Sequence, residues 1–258
     1  MAIADIMSGL GRGALALGLA GTGALCLVYG GLDPQWQHPP RAIDSPALAY
    51  INGGVLIALS FALLLPRLLP GLLPGLFSGL ARIAGYGLAA FLLLWVIAFA
   101  LPRMIAGQEA AWLAPAEVMV VAAGAWIASG AEKGKRLIQM LFGACLIAFG
   151  AAHFLYLDFT ANMIPAFIPF HVPLAIVAGA GHLSAGLSLI TGVLAWLGSA
   201  LLAAMFSLFV LLLHIPRTIA DPASRLEWTM LFHATALTGA AWLMAGDIWK
   251  SRLITQTR

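Results

Sequence analysis

Charged side chains are the scarcest feature of this 258-residue chain: they make up 9% of its residues, whereas 62% are hydrophobic. A soluble globular protein carries roughly 25% charged residues. So few charges cannot cover the surface of a soluble chain of this length, and lipid must therefore solvate much of its outside. In lipid every backbone polar group needs an internal hydrogen bond, which restricts spanning structures to helices and closed barrels. The apolar runs are continuous rather than alternating, and this predicts helices.

Runs of basic residues are also missing. The net charge is +3, from 13 Lys and Arg against 10 Asp and Glu, and it is spread over the predicted loops. No basic stretch is long enough for a nucleic-acid patch, so nucleic acid is not an expected partner. The expected partner is the lipid bilayer, and a membrane redox partner or a second copy of the chain stays open.

Reactive motifs are absent as well. The two cysteines, Cys26 and Cys145, lie in separate apolar runs without CxxC spacing, and we interpret them as buried small hydrophobic residues. The chain has no glycine-rich phosphate loop, HExxH, GxSxG or CxxCH haem-attachment motif. No enzyme class is indicated, and whether the protein is an enzyme stays open.

The chain does contain about eight apolar runs, each close to the roughly 20 residues that a transmembrane helix needs. They cover 11–32, 46–66, 82–102, 113–130, 137–157, 173–191, 193–215 and 228–249. The prediction is an all-α fold, a polytopic membrane bundle of about eight transmembrane helices. The segment between Pro66 and Arg82 is interrupted by Pro70 and Pro74 and predicts a loop.

Similar features recur in the two halves of the chain. A Leu-Asp pair opens a proline-rich loop at 32–33 and again at 157–158, and Leu/Ile-Pro-Arg ends a helix at 101–103 and again at 215–217. Four helices, an even number, return the chain to the side on which it started. We therefore predict two parallel four-helix repeats rather than inverted ones.

The predicted repeats are residues 1–132 and 133–258. One side of this topology holds nine of the 13 Lys and Arg residues and the other side holds four. Because basic loops stay in the cytoplasm, we expect both termini there. The proline-rich loops then face outward.

Four histidines lie inside the predicted helices of the second repeat, all in the outer half of the membrane: His153, His182, His214 and His233. Ionisable groups at such depth are costly and usually face a bundle interior or cavity. Histidine binds metal or haem, relays protons or hydrogen-bonds a quinone. The competing interpretation is a neutral histidine that holds neighbouring helices together. If a metal is bound, His182 and His214 are the expected ligands.

Three further side chains are candidates for ligand or cofactor binding. Glu117 falls near the place of His233 when tryptophans of the two halves are aligned, Asp158 opens the second proline-rich loop, and Arg217 follows a proline at a helix exit. Each has a structural alternative, such as an interfacial anchor for Arg217. The tryptophans at predicted helix ends are typical of an aromatic belt: Trp36, Trp112, Trp196, Trp228 and Trp249.

The second half contains the segment NMIPAFIPFH, followed by VPLAIVAGAGHLSAGLSLITGVLAWLGSALLAAMF. Through these segments, residues from about 137 to 249 resemble the DoxX-like family of small four-helix bacterial membrane proteins. The family pattern is a proline-rich loop followed by a helix of small residues. In this helix a polar residue precedes a segment rich in Gly and Leu, and the corresponding segment here is 182–189. Many relatives carry Glu where this chain has His182. The first half matches only through the internal repeat.

The resemblance implies a four-helix unit, here doubled, in a bacterial inner membrane. Some members of the wider family belong to membrane redox complexes, including a thiosulfate:quinone oxidoreductase, and others have no known activity. Three functions therefore stay open. The first is a redox-linked or quinone-linked protein whose histidines hold haem, quinone or metal. The second is a carrier, a binding protein or a membrane-embedded enzyme for a small hydrophobic or lipid-like molecule. The third is a structural or assembly factor.

Overall fold

The computed structural model describes residues 2–40 and 43–256, and in these ranges the regular structure is helical throughout. The helices are α1 (Ala2–Tyr29), α2 (Pro46–Leu68), α3 (Pro74–Trp95), α4 (Leu113–Ala128), α5 (Lys135–Leu155), the short α6 (Leu157–Asn162), α7 (His171–Thr191), α8 (Ala195–Phe209) and α9 (Arg225–Gln256). The predicted all-α fold is confirmed.

Six of these helices are long and apolar enough to cross a membrane: α1, α2, α3 with its extension to Ile105, α5, α7, and α8 with its extension to Ala220. They define a helical integral membrane protein. Helix α4 is apolar but has only 16 residues, and α9 has 32 residues with charged side chains near both ends. The prediction of about eight spans stays a prediction.

The predicted loop between Pro66 and Arg82 is wrong in its extent. Helix α2 continues through Pro66 to Leu68, and α3 begins at Pro74, so the connection has five residues. Proline fits the first turn of a helix, because its missing N–H would have no partner inside the helix there. Pro74 therefore starts a helix that the sequence pattern places eight residues later.

Helices α3 and α8 both change to a π-helical turn near one end. The turns are Val96–Ala100 and Val210–His214, each followed by a short α-helical segment (Leu101–Ile105 and Ile215–Ala220) that has proline at its second residue. A proline in this place has no N–H for the carbonyl four residues earlier and its ring crowds that carbonyl. The helix widens instead, and the Ile215 N–H donates to the Val210 carbonyl five residues back.

The first and last helices join the two halves of the chain. Helix α1 packs along α9 through small residues. A methyl group added to Gly11 would lie 2.7 Å from the Leu243 backbone nitrogen, and one added to Gly246 would lie 3.0 Å from that of Ser8. Small side chains thus allow close backbone approach, as is usual between helices in lipid.

Candidate ligand cavity and its buried polar network

A cavity of about 580 Å³ opens among α4, α5, α7, α8 and α9, and we call it the second-half cavity. Most of its wall is aliphatic or aromatic. The short helix α6 and the chain that follows it contribute to one side, through residues such as Phe159 and Ile168. The wall includes the aromatic residues Phe149, Tyr156, Phe206 and Phe209. This apolar surface suits a hydrophobic molecule rather than an ion.

Five of the predicted site residues line this one cavity. They come from five different helices: Glu117 from α4, His153 from α5, His182 from α7, His214 from the end of α8's π turn, and His233 from α9. The structure therefore brings these residues together, although ligand binding by them stays a prediction.

His153 and His182 stand side by side in the wall, with ring centroids 4.7 Å apart. The His153 Nδ1–H donates to the carbonyl of Phe149, and the His182 Nδ1–H donates to that of Ala178, both at 2.8 Å. Each acceptor lies one turn earlier on the histidine's own helix. His182 is 2% exposed.

His214 lines the cavity as the last residue of the π turn. It is buried, and its Nδ1 has no hydrogen-bond partner within the described ranges. Pro216, two residues later, accounts for the widening of the helix at this turn. A buried polar atom without a partner costs free energy. His214 therefore offers a hydrogen-bonding atom in a largely apolar wall, at a second place besides the His153–His182 pair.

His233 belongs to a buried polar network that reaches the first half of the chain. Its Nε2 lies 2.8 Å from Asp33 Oδ2. The Trp36 ring stacks on the His233 ring, with centroids 3.6 Å apart and planes 9° apart, and the Trp36 Nε1–H donates to Glu117 Oε2 at 2.6 Å. Contacts with Asp33 and Trp36 therefore fix the positions of His233 and Glu117, which both line the cavity.

Backbone N–H groups of its own loop stabilise the Asp33 carboxylate that faces His233. Its Oδ1 accepts hydrogen bonds from the backbone N–H groups of Gln35 (2.9 Å) and Trp36 (2.7 Å). Burial alone would raise the pKa of Asp33, but the facing His233 and these N–H groups outweigh it and hold the pKa below its usual range. The carboxylate is thus stabilised in its charged form inside the bundle.

Two predicted site residues lie elsewhere. Asp158 is exposed at the start of α6, and Arg217 forms a two-pronged ion pair with Glu227, at 2.7 Å and 3.0 Å. Arg217 also donates to the Met163 carbonyl at 3.2 Å, and Met163 lines the cavity. Arg217 therefore braces the chain beside the cavity rather than forming part of its wall.

The site prediction did not include Asp33 and Trp36. The Leu-Asp repeat placed Asp33 at the start of a proline-rich loop, while Trp36 was assigned to an aromatic belt. That assignment of Trp36 is wrong, because its ring is 2% exposed and packs on His233 inside the protein. A tryptophan beside a loop aspartate was the available signal, but the sequence alone does not show which partners they meet.

Metal binding receives no support from the positions of the side chains. In residues 2–40 and 43–256, no three or more His, Cys, Asp or Glu side chains are grouped to hold an ion. Structural zinc sites use four protein ligands and catalytic ones use three. The expected pair His182 and His214 lacks such additional ligands, so we derive no metal chemistry from it.

No model of a known family matches this chain, and neither the curated proteins nor the solved structures give a significant match. The class that the fold defines is therefore the helical integral membrane protein.

Proposed function

We propose that this integral membrane protein binds a small hydrophobic or lipid-like molecule in the second-half cavity. The observation that carries the proposal is the composition of the wall: an apolar cavity of about 580 Å³ with four histidines and one glutamate on its surface. Small-molecule sites commonly enclose roughly 300–1,000 Å³, with few polar groups in an apolar wall. The polar groups would orient the head of the molecule while the apolar wall holds its tail.

The orientation of two histidines argues against a purely structural role. A histidine that joins helices must reach a partner on a neighbouring helix. His153 and His182 instead donate to carbonyls of their own helices, and no hydrogen bond within the described chain links either ring to another helix. Among the four cavity histidines, and within the part of the chain that the structure describes, only His233 forms a hydrogen bond to a distant part of the chain, through Asp33. The helix-joining interpretation therefore fits His233 and not this pair.

The test is to purify the protein in a mild detergent, extract co-purifying small molecules and identify them by mass spectrometry. The matched variants are Ala178→Phe, which projects a ring from the cavity wall, and Ala180→Phe, which adds the same ring to an exposed position of the same helix. We expect one hydrophobic species to co-purify with the wild type and Ala180→Phe and to be lost from Ala178→Phe. Equal recovery from all three proteins would reject the cavity as the binding site.

A quinone is one molecule of the proposed class, and the redox-linked function is its special case. Quinone in the same extract, or a haem absorption band in the purified protein, would support that version. A colourless protein with a quinone-free extract would reject it and leave lipid binding in place.

We also propose the DoxX-like, two-repeat architecture for residues 1–132 and 133–258. Two features support it. Gly23 faces the Gly53 carbonyl between α1 and α2, and Gly143 faces the Gly186 carbonyl between α5 and α7. The π turns of α3 and α8 are a second matching pair. An experimental structure in which the two halves fail to superpose would reject the repeat.

The proposed location is a bacterial inner membrane with both termini in the cytoplasm. The unequal distribution of Lys and Arg between the two sides of the predicted topology supports the orientation. The resemblance of the second half to DoxX-like proteins supports the bacterial inner membrane. Fusions of a fluorescent protein and of alkaline phosphatase to the C-terminus test it, since the first is active in the cytoplasm and the second outside it. Phosphatase activity would reverse the proposed orientation.

A further inference from the structure

We infer that the second-half cavity selects a head group that donates a hydrogen bond, a hydroxyl of an alcohol or phenol, over a head that only accepts one, such as an ether. This inference rests on the proposed function and names the ligand chemistry. It comes from the hydrogen bonds that His153 and His182 already make.

The protonated nitrogen of each ring is fixed by its partner. A backbone carbonyl only accepts hydrogen bonds. Because Nδ1 of His153 faces the Phe149 carbonyl and Nδ1 of His182 faces the Ala178 carbonyl, each Nδ1 carries its hydrogen. In a neutral imidazole the other nitrogen, Nε2, is then an acceptor. Within the described ranges neither Nε2 has a hydrogen-bond partner, and both side chains line the cavity.

The surroundings keep the two rings neutral. They lie 4.7 Å apart in a largely apolar wall, and neither forms an ion pair with any residue that the structure describes. A second proton on both rings would place two unpaired positive charges side by side in a region of low polarity, which is strongly unfavourable. The cavity therefore presents two neighbouring lone pairs.

The other polar groups of the wall do not reverse this preference. The Thr160 hydroxyl donates to the Tyr156 carbonyl, so this donor is already occupied. The His214 imidazole, which also lines the cavity, has one donor and one acceptor nitrogen when neutral and therefore serves either kind of head. A tyrosine hydroxyl both donates and accepts, so Tyr156 does not discriminate between the two kinds of head. A hydroxyl head satisfies a histidine lone pair, whereas an ether oxygen of the same size meets another acceptor.

The test compares 1-dodecanol with 1-methoxyundecane, which has the same number of heavy atoms but no donor. Both are titrated into the purified full-length protein in nanodiscs, and binding is followed by calorimetry and by thermal stabilisation. For the wild type we expect dodecanol to bind about tenfold more tightly, because the lost hydrogen bond leaves a buried acceptor unpaired.

Variants then assign the preference to the histidines. We expect it to disappear in the double variant His153→Leu/His182→Leu and to shrink in each single variant. It should persist in His171→Leu, since His171 does not line the cavity. The wild-type comparison and the single variants remain informative if the double variant does not fold.

The two proposals fail in different ways. Equal binding of alcohol and ether to the wild type would overturn the donor preference and leave the ligand cavity standing. A preference that persists in well-folded histidine variants would overturn the assignment to His153 and His182. No binding of either probe to the wild type would overturn both proposals for this class of molecule.

Discussion

A Leu-Asp pair occurs in each half of the molecule, and the two aspartates have opposite surroundings. In the first half Asp33 is 2% exposed and pairs with His233, while in the second half Asp158 is exposed at the start of α6. A carboxylate at a helix start is favourable at the surface, but a buried one needs partners. The local sequence pattern is the same in both halves, and the contact of Asp33 with His233 on α9 accounts for the difference in burial.

The interiors differ in the same way. The first half is closed by two tryptophans, Trp36 and Trp95, both 2% exposed and with ring centroids 6.5 Å apart. The second half leaves a cavity beside Phe149 and Phe206. One half thus uses large side chains to fill space, and the other keeps space lined with histidines. In the proposed function, the second half supplies most of the cavity wall, and the first half contributes Glu117.

The largest expected loss of stability comes from removing a large side chain that fills the interior of the first half. Trp36→Ala removes a buried indole, its stack on His233 and its hydrogen bond to Glu117. We expect about 4 kcal/mol of lost stability, as for other buried tryptophans, measured by SDS-driven unfolding in mixed micelles. Trp228→Ala is the control, since this half-buried tryptophan stacks on Phe232 and donates to the Pro222 carbonyl. A loss in Trp36→Ala no larger than in the control would contradict the description of the first half.

The next effect tests the connection between the halves. Asp33→Ala leaves His233 buried without its partner, and we expect a loss of about 3 kcal/mol, as when one side of a buried pair is removed. Asp33→Asn keeps an oxygen for the loop N–H groups and should lose less. In a double-mutant cycle with His233→Ala the two losses should not add, because both remove one interaction. Fully additive losses would mean that the pair contributes no coupling.

A matched pair of enlargements compares packed space with open space. Ala49 is 0% exposed between helices of the first half, whereas Ala178 lines the cavity. Ala49→Phe overpacks its site and should cost about 2 kcal/mol. Ala178→Phe has room and should change the stability by less than about 1 kcal/mol. Equal melting temperatures for the two variants would mean that the halves are equally packed.

The smallest effect concerns the ion pair beside the cavity. Glu227→Gln weakens the pairing with Arg217, and we expect a loss of about 1 kcal/mol at neutral pH. The hydrogen bonds from Arg217 lower the pKa of Glu227 against the effect of burial. The pair therefore stabilises the folded state above the unfolded pKa of about 4.3 and loses this effect as the pH falls through the lower folded pKa. Melting curves of variant and wild type should converge in acid, and a constant difference would exclude this pair as the cause.

The positions of most helices follow from the sequence, because long apolar runs with few charges are stable only as helices in lipid. The start of α3 was placed too late, since Pro74 looks like a breaker and in fact opens a helix. Within the site, four histidines and Glu117 were identifiable as ionisable groups in oily runs. Asp33 and Trp36 were not, because a loop aspartate and an interfacial tryptophan are ordinary surface residues until a partner is known.

The sequence by itself determined that this is a helical membrane protein. Its 9% of charged residues cannot solvate a chain of 258 residues in water, and its continuous apolar runs predict helices. The tertiary structure decided which ionisable groups meet. Asp33 and His233 are 200 positions apart and touch because α1 packs along α9. Local sequence pattern sets which segments become helices, but the side chains that share a cavity depend on how distant helices pack, and that information is not local.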